Sequence, residues 1–495
     1  MKRKKPTKTG RTPKTEMDSG VAESKASALK LDSDLLIVIA LFITSLIAFW
    51  SLSIEGRIYT QGDNINDAIF YQQVDQYHDQ TGEIARWNPY IFGGVPNIFN
   101  LPKSPLTLDY YLDLFSSLLS LPFVFFWMGA VGLYLLLRYL KFSRLQSLFG
   151  SLIFLLSPFY KSLVINGHGT KIEAIMYAPW IFWALFRLMD KKRWLDVLFL
   201  ALFAGLQIRT SHYQVVFYTA ILSVIFVVSH TVQEIRKREK YRYRMIFMIG
   251  VAAVGAVFLS ARPLYLAAKY AGESIRGRDV IRLSEQNSTD VDHGVDKRFV
   301  ETWSFTPGEL MTLLVPRAMG GTSSEYYGRA RSIGFRQDVI PGYWGHSPYN
   351  GSYYYLGAFI FFLLLIPVLW IKENPLLWQF IAGLILMMIW SLGTFAGPIY
   401  DLSYSIVPFF SNFRTPTTSL AMVYLMATIL AVYGLSFLPR FRTGDMKKFW
   451  TIIGIGAGVT ALFFLAGSGL SFANVRQNYQ QNVLELLTEA RRSMF

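Results

Sequence analysis

Apolar residues along this chain gather into long runs, not the alternating pattern of half-buried strands. Eleven windows read as membrane-spanning helices: about 34–54, 114–137, 146–165, 172–189, 195–208, 214–229, 245–268, 354–371, 376–393, 419–438 and 449–472. About 20 helical residues cross a hydrocarbon core of about 30 Å. The fifth window has only about 14 residues and reads as one arm of a broken or re-entrant pair with the sixth. Irregular backbone at membrane depth survives only where protein or a water-filled cavity surrounds it. That shortness therefore points to a site. The pattern predicts an all-α polytopic membrane protein of about 11 transmembrane helices, with a membrane domain over 34–472 and two long hydrophilic loops, 55–113 and 269–353. After it, the spacing of Val483, Leu486, Leu487, Ala490 and Met494 predicts an amphipathic helix within 473–495.

Composition narrows the class further. Of 495 residues, 52% are hydrophobic and only 16% charged, too few to cover the surface of a soluble protein. There is no cysteine, which excludes a disulfide framework, a thiolate nucleophile and Cys-ligated metal centres. The net charge of +15 is unevenly spread: residues 1–30 hold nine Lys/Arg against three acids. This stretch is too polar to fold, and 1–33 is expected to be a disordered basic tail held on the cytoplasmic side of a membrane. It reads as a partner of membrane lipids, with no nucleic acid as ligand.

Lys and Arg in the short loops set the orientation. With the tail inside, the inner loops Arg138–Arg144, Arg187–Arg193, Arg236–Arg244, Lys372–Asn374 and Arg440–Lys448 carry three, four, six, one and four basic residues. The outer turns Asn166–Lys171 and Arg209–Tyr213 carry one each. Both long loops then fall outside, and so do His78, His168, His212, His293 and His346. A transporter would place ionisable groups near midspan, often in two related repeats. Here they crowd the outer rim, and the chain displays no repeat of matching spacing.

Five places carry candidate chemistry. In the first loop, Asp63 and Asp67 stand four apart and would share one face of a helix. They could bind a divalent cation, or one could act as base while the other tunes it. The plain alternative is a helix cap, since Asp63 follows Gly62. Further on, Trp87-Asn88-Pro89 and Gly93-Gly94-Val95-Pro96 form a stiff aromatic turn or an interfacial anchor. The turn Asn166-Gly167-His168-Gly169-Thr170-Lys171 lets backbone approach a ligand, with His168 and Lys171 as donors suited to phosphate. Arg209 and His212 sit at the break after the fifth window, and Arg414 stands in Phe413-Arg414-Thr415-Pro416 at another outer span end. In the second loop, Glu273, Arg276, Glu309, Tyr343 and Trp344 lie among aromatics and glycines that suit sugar recognition, or equally a packed cap. No P-loop, zinc-binding His-Glu-x-x-His, Gly-x-Ser-x-Gly or dinucleotide fingerprint occurs.

Taken in order, these pieces resemble the YfhO-like family of bacterial membrane proteins within the GT-C superfamily of glycosyltransferases. The resemblance rests on Gly62-Asp63, Trp87–Pro96, Gly167-His168 with Lys171, and His212-Tyr213-Gln214. It continues through Glu273-Ser274-Ile275-Arg276-Gly277, Trp303-Ser304 with Glu309, Pro316 and Gly320-Gly321, Tyr343-Trp344-Gly345, and Phe413–Pro416. It implies a GT-C-like fold in the bacterial cytoplasmic (inner) membrane, an extracytoplasmic active site and a polyprenyl-phosphate sugar donor. The acceptor would be a cell-envelope glycopolymer. Carried onto this chain, Asp63 becomes the expected general base, with Asp67 next in line. His168 and Lys171, then Arg209, His212, Arg276 and Arg414, are expected at the donor phosphate, by side and charge. Trp87, Asn88, Glu273, Glu309, Tyr343 and Trp344 are expected at the substrate or acceptor. A divalent cation is possible at Asp63 and Asp67 without being required. Such chains usually run on into further spans, so on this resemblance the chain is a truncated or shortened member. The alternatives are a lipid-linked-sugar flippase or transporter, and a non-catalytic envelope protein.

Overall fold

The computed structural model describes residues 19–60, 62–91, 93–97, 103–236, 242–271, 297–372, 374–441, 446–467, 472 and 481–494. Its main helices in chain order are α1 Ser19–Ala48, α2 Asp63–Thr81, α3 Leu108–Leu119, α4 Leu121–Tyr139, α5 Arg144–Leu155 and α6 Pro158–Ile165. Next come α7 Gly169–Lys191, α8 Trp194–Arg209, α9 Tyr213–Arg236, α10 Arg242–Leu259 and α11 Ala261–Ala271. The last are α12 Ala358–Leu365, α13 Pro375–Ser391, α14 Pro398–Ile406, α15 Leu420–Phe441, α16 Met446–Gly467 and α17 Gln481–Met494. Strand is confined among the described residues to two antiparallel pairs of two residues each, Trp87–Asn88 with Val95–Pro96 and Glu325–Tyr326 with Val339–Ile340.

This is an all-helical membrane protein. Among the described residues, five helical segments are long and apolar enough to cross a bilayer: Leu121–Tyr139, Arg144–Ile165, Gly169–Lys191, Tyr213–Arg236 and Pro416–Phe441. A sixth is made by α10 and α11 if that pair, bent by 72°, counts as one. The expected break between the fifth and sixth windows is the turn Thr210–His212, where Ser211 is left-handed at φ 61°. The sharp bend within an apolar run lies one window later. There Pro263 opens α11, and the Ser260 hydroxyl donates to the Gly205 carbonyl at 2.9 Å.

Helix α15 is the axis of the bundle. Leu420 to Gly434 is buried on every side, as an apolar helix without a polar face must be. Tyr160 on α6 donates its hydroxyl to the Ala421 carbonyl at 2.7 Å, and the Phe159 and Tyr424 rings stack at 4.7 Å. Small residues let helices close on one another where lipid supplies no hydrophobic drive. Gly434 meets the Leu363 backbone, Gly383 meets Leu222, and Gly132 meets Trp180.

Ion pairs and loops mark the two ends of the bundle. At one end the basic short loops are tied by Arg144–Asp34 (2.6 Å), Arg187–Asp196 (2.7 Å) and Lys192–Glu234 (2.8 Å). The two long loops and the turns after α6, α8 and α14 all meet at the other, which we call the loop end. The loops expected to share a side therefore share an end of the bundle.

One expectation at the chain ends needs correction and one holds. Helix α1 starts at Ser19, inside the stretch expected to be an unstructured tail. Ala, Lys and Glu there are good helix formers and prolong the first apolar helix outward; residues 1–18 lie outside the described residues. The C-terminal helix α17 forms as its spacing predicts, with Leu487 and Ala490 packed on Ala330 and Ile340. Its strongest tie went unforeseen. Arg491 is fully buried and donates to the carbonyls of Pro341 (2.9 and 2.8 Å), Phe472 (2.8 Å) and Tyr343 (3.1 Å).

A methyl group added at Gly434 would lie 2.0 Å from the Leu363 carbonyl oxygen, which is backbone and cannot rotate away. Gly434→Ala is expected to destabilise the bundle by about 1–3 kcal/mol. A lowered thermal midpoint in detergent checks this, with Gly454→Ala, at a position with open space around it, as the neutral control.

Candidate functional site

Two glycines bring the first loop onto the turn after α6. Gly62 (φ 58°) passes so close to Asn166 that a Cβ would sit 2.8 Å from its carbonyl oxygen. Gly167 (φ 81°) does the same to Asn64, where a Cβ would lie 2.6 Å from the backbone nitrogen. Both positive φ values suit glycine alone. The Asp63 amide donates to the Asn166 carbonyl at 3.0 Å, and the Asn64 side-chain amide donates to the Ile165 carbonyl at 2.9 Å. Asn166, itself buried, reaches the other way and donates to the Gly351 carbonyl at 2.7 Å. One residue thus joins both long loops.

The pocket under this junction has a volume of about 600 Å³. Asp63 and Asp67 line one part of it, and His168, Lys171, His212 and Arg414 line it too. Asp63 is not a cap: the cap position of α2 is Gly62, which has no side chain. Its carboxylate instead stands 3.6 Å from Nε2 of His168. Partial desolvation, and then the neighbouring Asp63 charge, raise the pKa of Asp67.

His168 differs from its expected role. Burial, with Lys171 close by, takes its pKa down to about 3. The ring is therefore neutral at ordinary pH and sits with a carboxylate, so it is no cation for a phosphate. Its Nδ1 is buried with no hydrogen-bond partner among the described residues. The cations are Lys171 and Arg414, neither within 4 Å of a carboxylate among the described residues. Arg414 lies over the rings of Phe299 (5.5 Å) and Trp303 (5.8 Å), which hold its guanidinium by cation–π attraction. Helix α7 opens beside them with no side chain capping its N-terminus, so its dipole adds positive potential at Thr170 and Lys171.

Other expected residues lie elsewhere. Arg209 is bound to Asp109 at 2.6 Å and to the Leu259 carbonyl at 3.1 Å, away from the pocket lining. Glu309 is almost fully buried and accepts from Thr306 N (2.8 Å), Thr306 Oγ1 (3.0 Å) and the Tyr343 hydroxyl. Glu309 and Tyr343 form a buried brace within the second loop. Trp344 is buried against Gly320 and the Phe472 ring. Asn88 is also buried, donating to Phe70 O at 3.1 Å, while Trp87 covers Gly94 in the hairpin. None of these lines the large pocket; they shape the loops around it. Glu273 and Arg276 lie outside the described residues.

The structure adds residues that the motifs did not mark: Tyr349, Asn350, Gly351, Ser352, Thr417 and Thr418 line the pocket, beside Gln214 and Thr415 of the quoted motifs. Their sequence signal is a polar run against an apolar window, which many span ends share. Among the described residues no group of three or more possible metal ligands comes together.

No family model matches the chain, and no curated protein matches it at a significant level.

The depressed pKa of His168 gives a pH prediction. Between its ordinary value of 6.5 and about 3, the unfolded chain binds a proton there that the folded chain refuses. Acid therefore favours unfolding through this group, and the penalty is absent above pH 6.5. Thermal midpoints at pH 7.5 and pH 5 should fall further for the wild type than for His168→Gln, with the difference growing as pH drops.

Proposed function

We propose that this protein is a membrane glycosyltransferase of the GT-C type, moving a sugar from a polyprenyl-phosphate donor to a cell-envelope acceptor. The observation that carries the reading is a single pocket holding two carboxylates, Asp63 and Asp67, and two cations without carboxylate partners, Lys171 and Arg414. Such a pocket offers a proton acceptor and a phosphate cradle within reach of one substrate.

In the proposed reaction the acceptor hydroxyl oxygen attacks the anomeric carbon of the donor. The bond from that carbon to the phosphate oxygen breaks, and the polyprenyl phosphate leaves with the electron pair. Asp63 takes the hydroxyl proton. Lys171 and Arg414 balance the negative charge gathering on the leaving phosphate, aided by the dipole of α7, whose N-terminus no side chain caps. His168, neutral and beside Asp63, orients that carboxylate. Asp67, with its raised pKa, is the second candidate for the base. The aromatic residues Trp303, Tyr349 and Tyr354 on the lining suit contact with the C–H faces of a sugar.

The finer membrane arrangement belongs to the same proposal. The chain would make about eleven crossings in a bacterial inner membrane with its N-terminus cytoplasmic. The basic end would face the cytoplasm, and the pocket would open on the extracytoplasmic side. The gathering of basic short loops at one end of the bundle supports this orientation.

Two measurements test the reaction. With radiolabelled polyprenyl-phosphate hexoses and an envelope extract in liposomes, Asp63→Asn is expected to lower turnover by about a hundredfold or more. Equal loss from Asp67→Asn with Asp63→Asn unimpaired would move the base to Asp67. Protein-dependent scrambling of the lipid with no transfer would favour a flippase. Separately, Lys171→Gln or Arg414→Gln is expected to weaken donor binding by about ten- to a hundredfold, the cost of losing one charged hydrogen bond. Arg209→Gln, outside the pocket, should leave donor affinity unchanged in the same binding assay.

A further inference from the structure

Helix α14 divides into three sectors. Tyr400 and Ser403 face protein: the Trp390 indole donates to Ser403 Oγ at 3.0 Å, and the Tyr400 ring meets Phe410 at 5.2 Å. Asp401 and Ser405 form an exposed polar sector, with Asp401 paired to Lys297 at 2.6 Å. The third sector is apolar and bare. Ile399, Leu402 and Ile406 are 54%, 58% and 65% exposed, and Phe409 just beyond is 70% exposed. Their spacing of three and four residues puts them on one stripe.

We infer that α14 lies in the plane of the membrane surface at the loop end, with this stripe sunk into lipid. A helix with one apolar, one polar and one protein-packed side fits an interface and neither bulk water nor the bilayer core. Its place in the chain requires that depth. It leaves the apolar helix α13 through the short turn Gly393–Ala396, and the candidate span beginning at Pro416 follows soon after. The segment 272–296, which precedes Lys297, is an unsuitable cover: nine of its 25 residues are charged.

The consequence reaches the pocket. Phe409 turns in a left-handed conformation (φ 66°), and the chain then runs through Phe413 to Arg414. Thr415, also left-handed, donates its amide to the Val300 carbonyl at 3.2 Å. Arg414 is thus held at a depth fixed by α14, level with the phosphates of the leaflet. The ligand class this favours is a phosphate whose apolar part stays in the membrane.

Because the chain has no cysteine, single cysteines at Leu402, Ser405 and Ile406 can each carry a spin label in full-length protein in nanodiscs. Labels at 402 and 406 are expected to collide with oxygen and be shielded from a water-soluble nickel chelate, giving an accessibility ratio several-fold above that at 405. Equal nickel access at all three would place the stripe in water and overturn the inference. Shielding of 402 and 406 from both reagents would mean that protein covers them, a second copy or residues 272–296, and would overturn it too. The readout is depth and not turnover, so it stands or falls apart from the reaction proposed for the pocket.

Discussion

The reciprocal approach of Gly62 to Asn166 and of Gly167 to Asn64 is the contact on which the rest of the loop end depends. Two backbones meet there with no room for a Cβ on either side. This contact holds the start of helix α2, whose first two turns carry the two carboxylates, Asp63 and Asp67. Asn166 extends the same junction to Gly351, where again a Cβ would strike its side chain. The pocket is therefore a seam between two long loops, closed by backbone and one buried amide. Such a seam fixes side-chain positions more tightly than surface ion pairs would, since those are worth about 0–1 kcal/mol each.

Around that seam, charge is arranged in an unusual way for a membrane protein. Among the described residues several cations of the bundle have a carboxylate at hand, Arg209 with Asp109, Arg187 with Asp196 and Lys192 with Glu234, while the buried Arg491 is met by carbonyls. Pairing of this kind is how a low-dielectric interior tolerates charge. Lys171 and Arg414 depart from the rule although Asp63 lines the same pocket. Arg414 is restrained by aromatic faces, with no carboxylate on it among the described residues.

Much of the fold was legible because its signal is one-dimensional. Long apolar runs become helices, and basic short loops collect at one end, since both follow from chain composition alone. The acidic pair was legible for the same reason, as a spacing of four places Asp63 and Asp67 on one helical face. Partner choice was not. Arg209 and Arg414 look alike in sequence, each at a span end, yet one is neutralised by Asp109, 100 residues away, and the other is not. His168 carries no mark in the sequence that its Nδ1 would be shut off from water while its Nε2 faces Asp63. Glu309 and Tyr343, which suited a sugar site by residue type, satisfy each other, and only the fold could reveal it. The buried Arg491 breaks the periodic pattern of its helix and finds carbonyls that no spacing rule anticipates.

The separation of these charges is itself an argument about what the pocket holds. Were the site merely structural, the least costly arrangement would bring Lys171 onto Asp63 and close the cavity. The two-glycine junction prevents that, because it pins Asp63 beside His168, and the neutral imidazole adds no charge to compensate it. The buried and unpartnered Nδ1 of His168 adds a second unmet demand in the same wall. An open pocket with a fixed anion and unmatched cations is stabilised most by a molecule that carries a proton donor at one end and negative charge at the other. In the reaction proposed above, an acceptor hydroxyl beside a phosphate-bearing carbon would have that pattern.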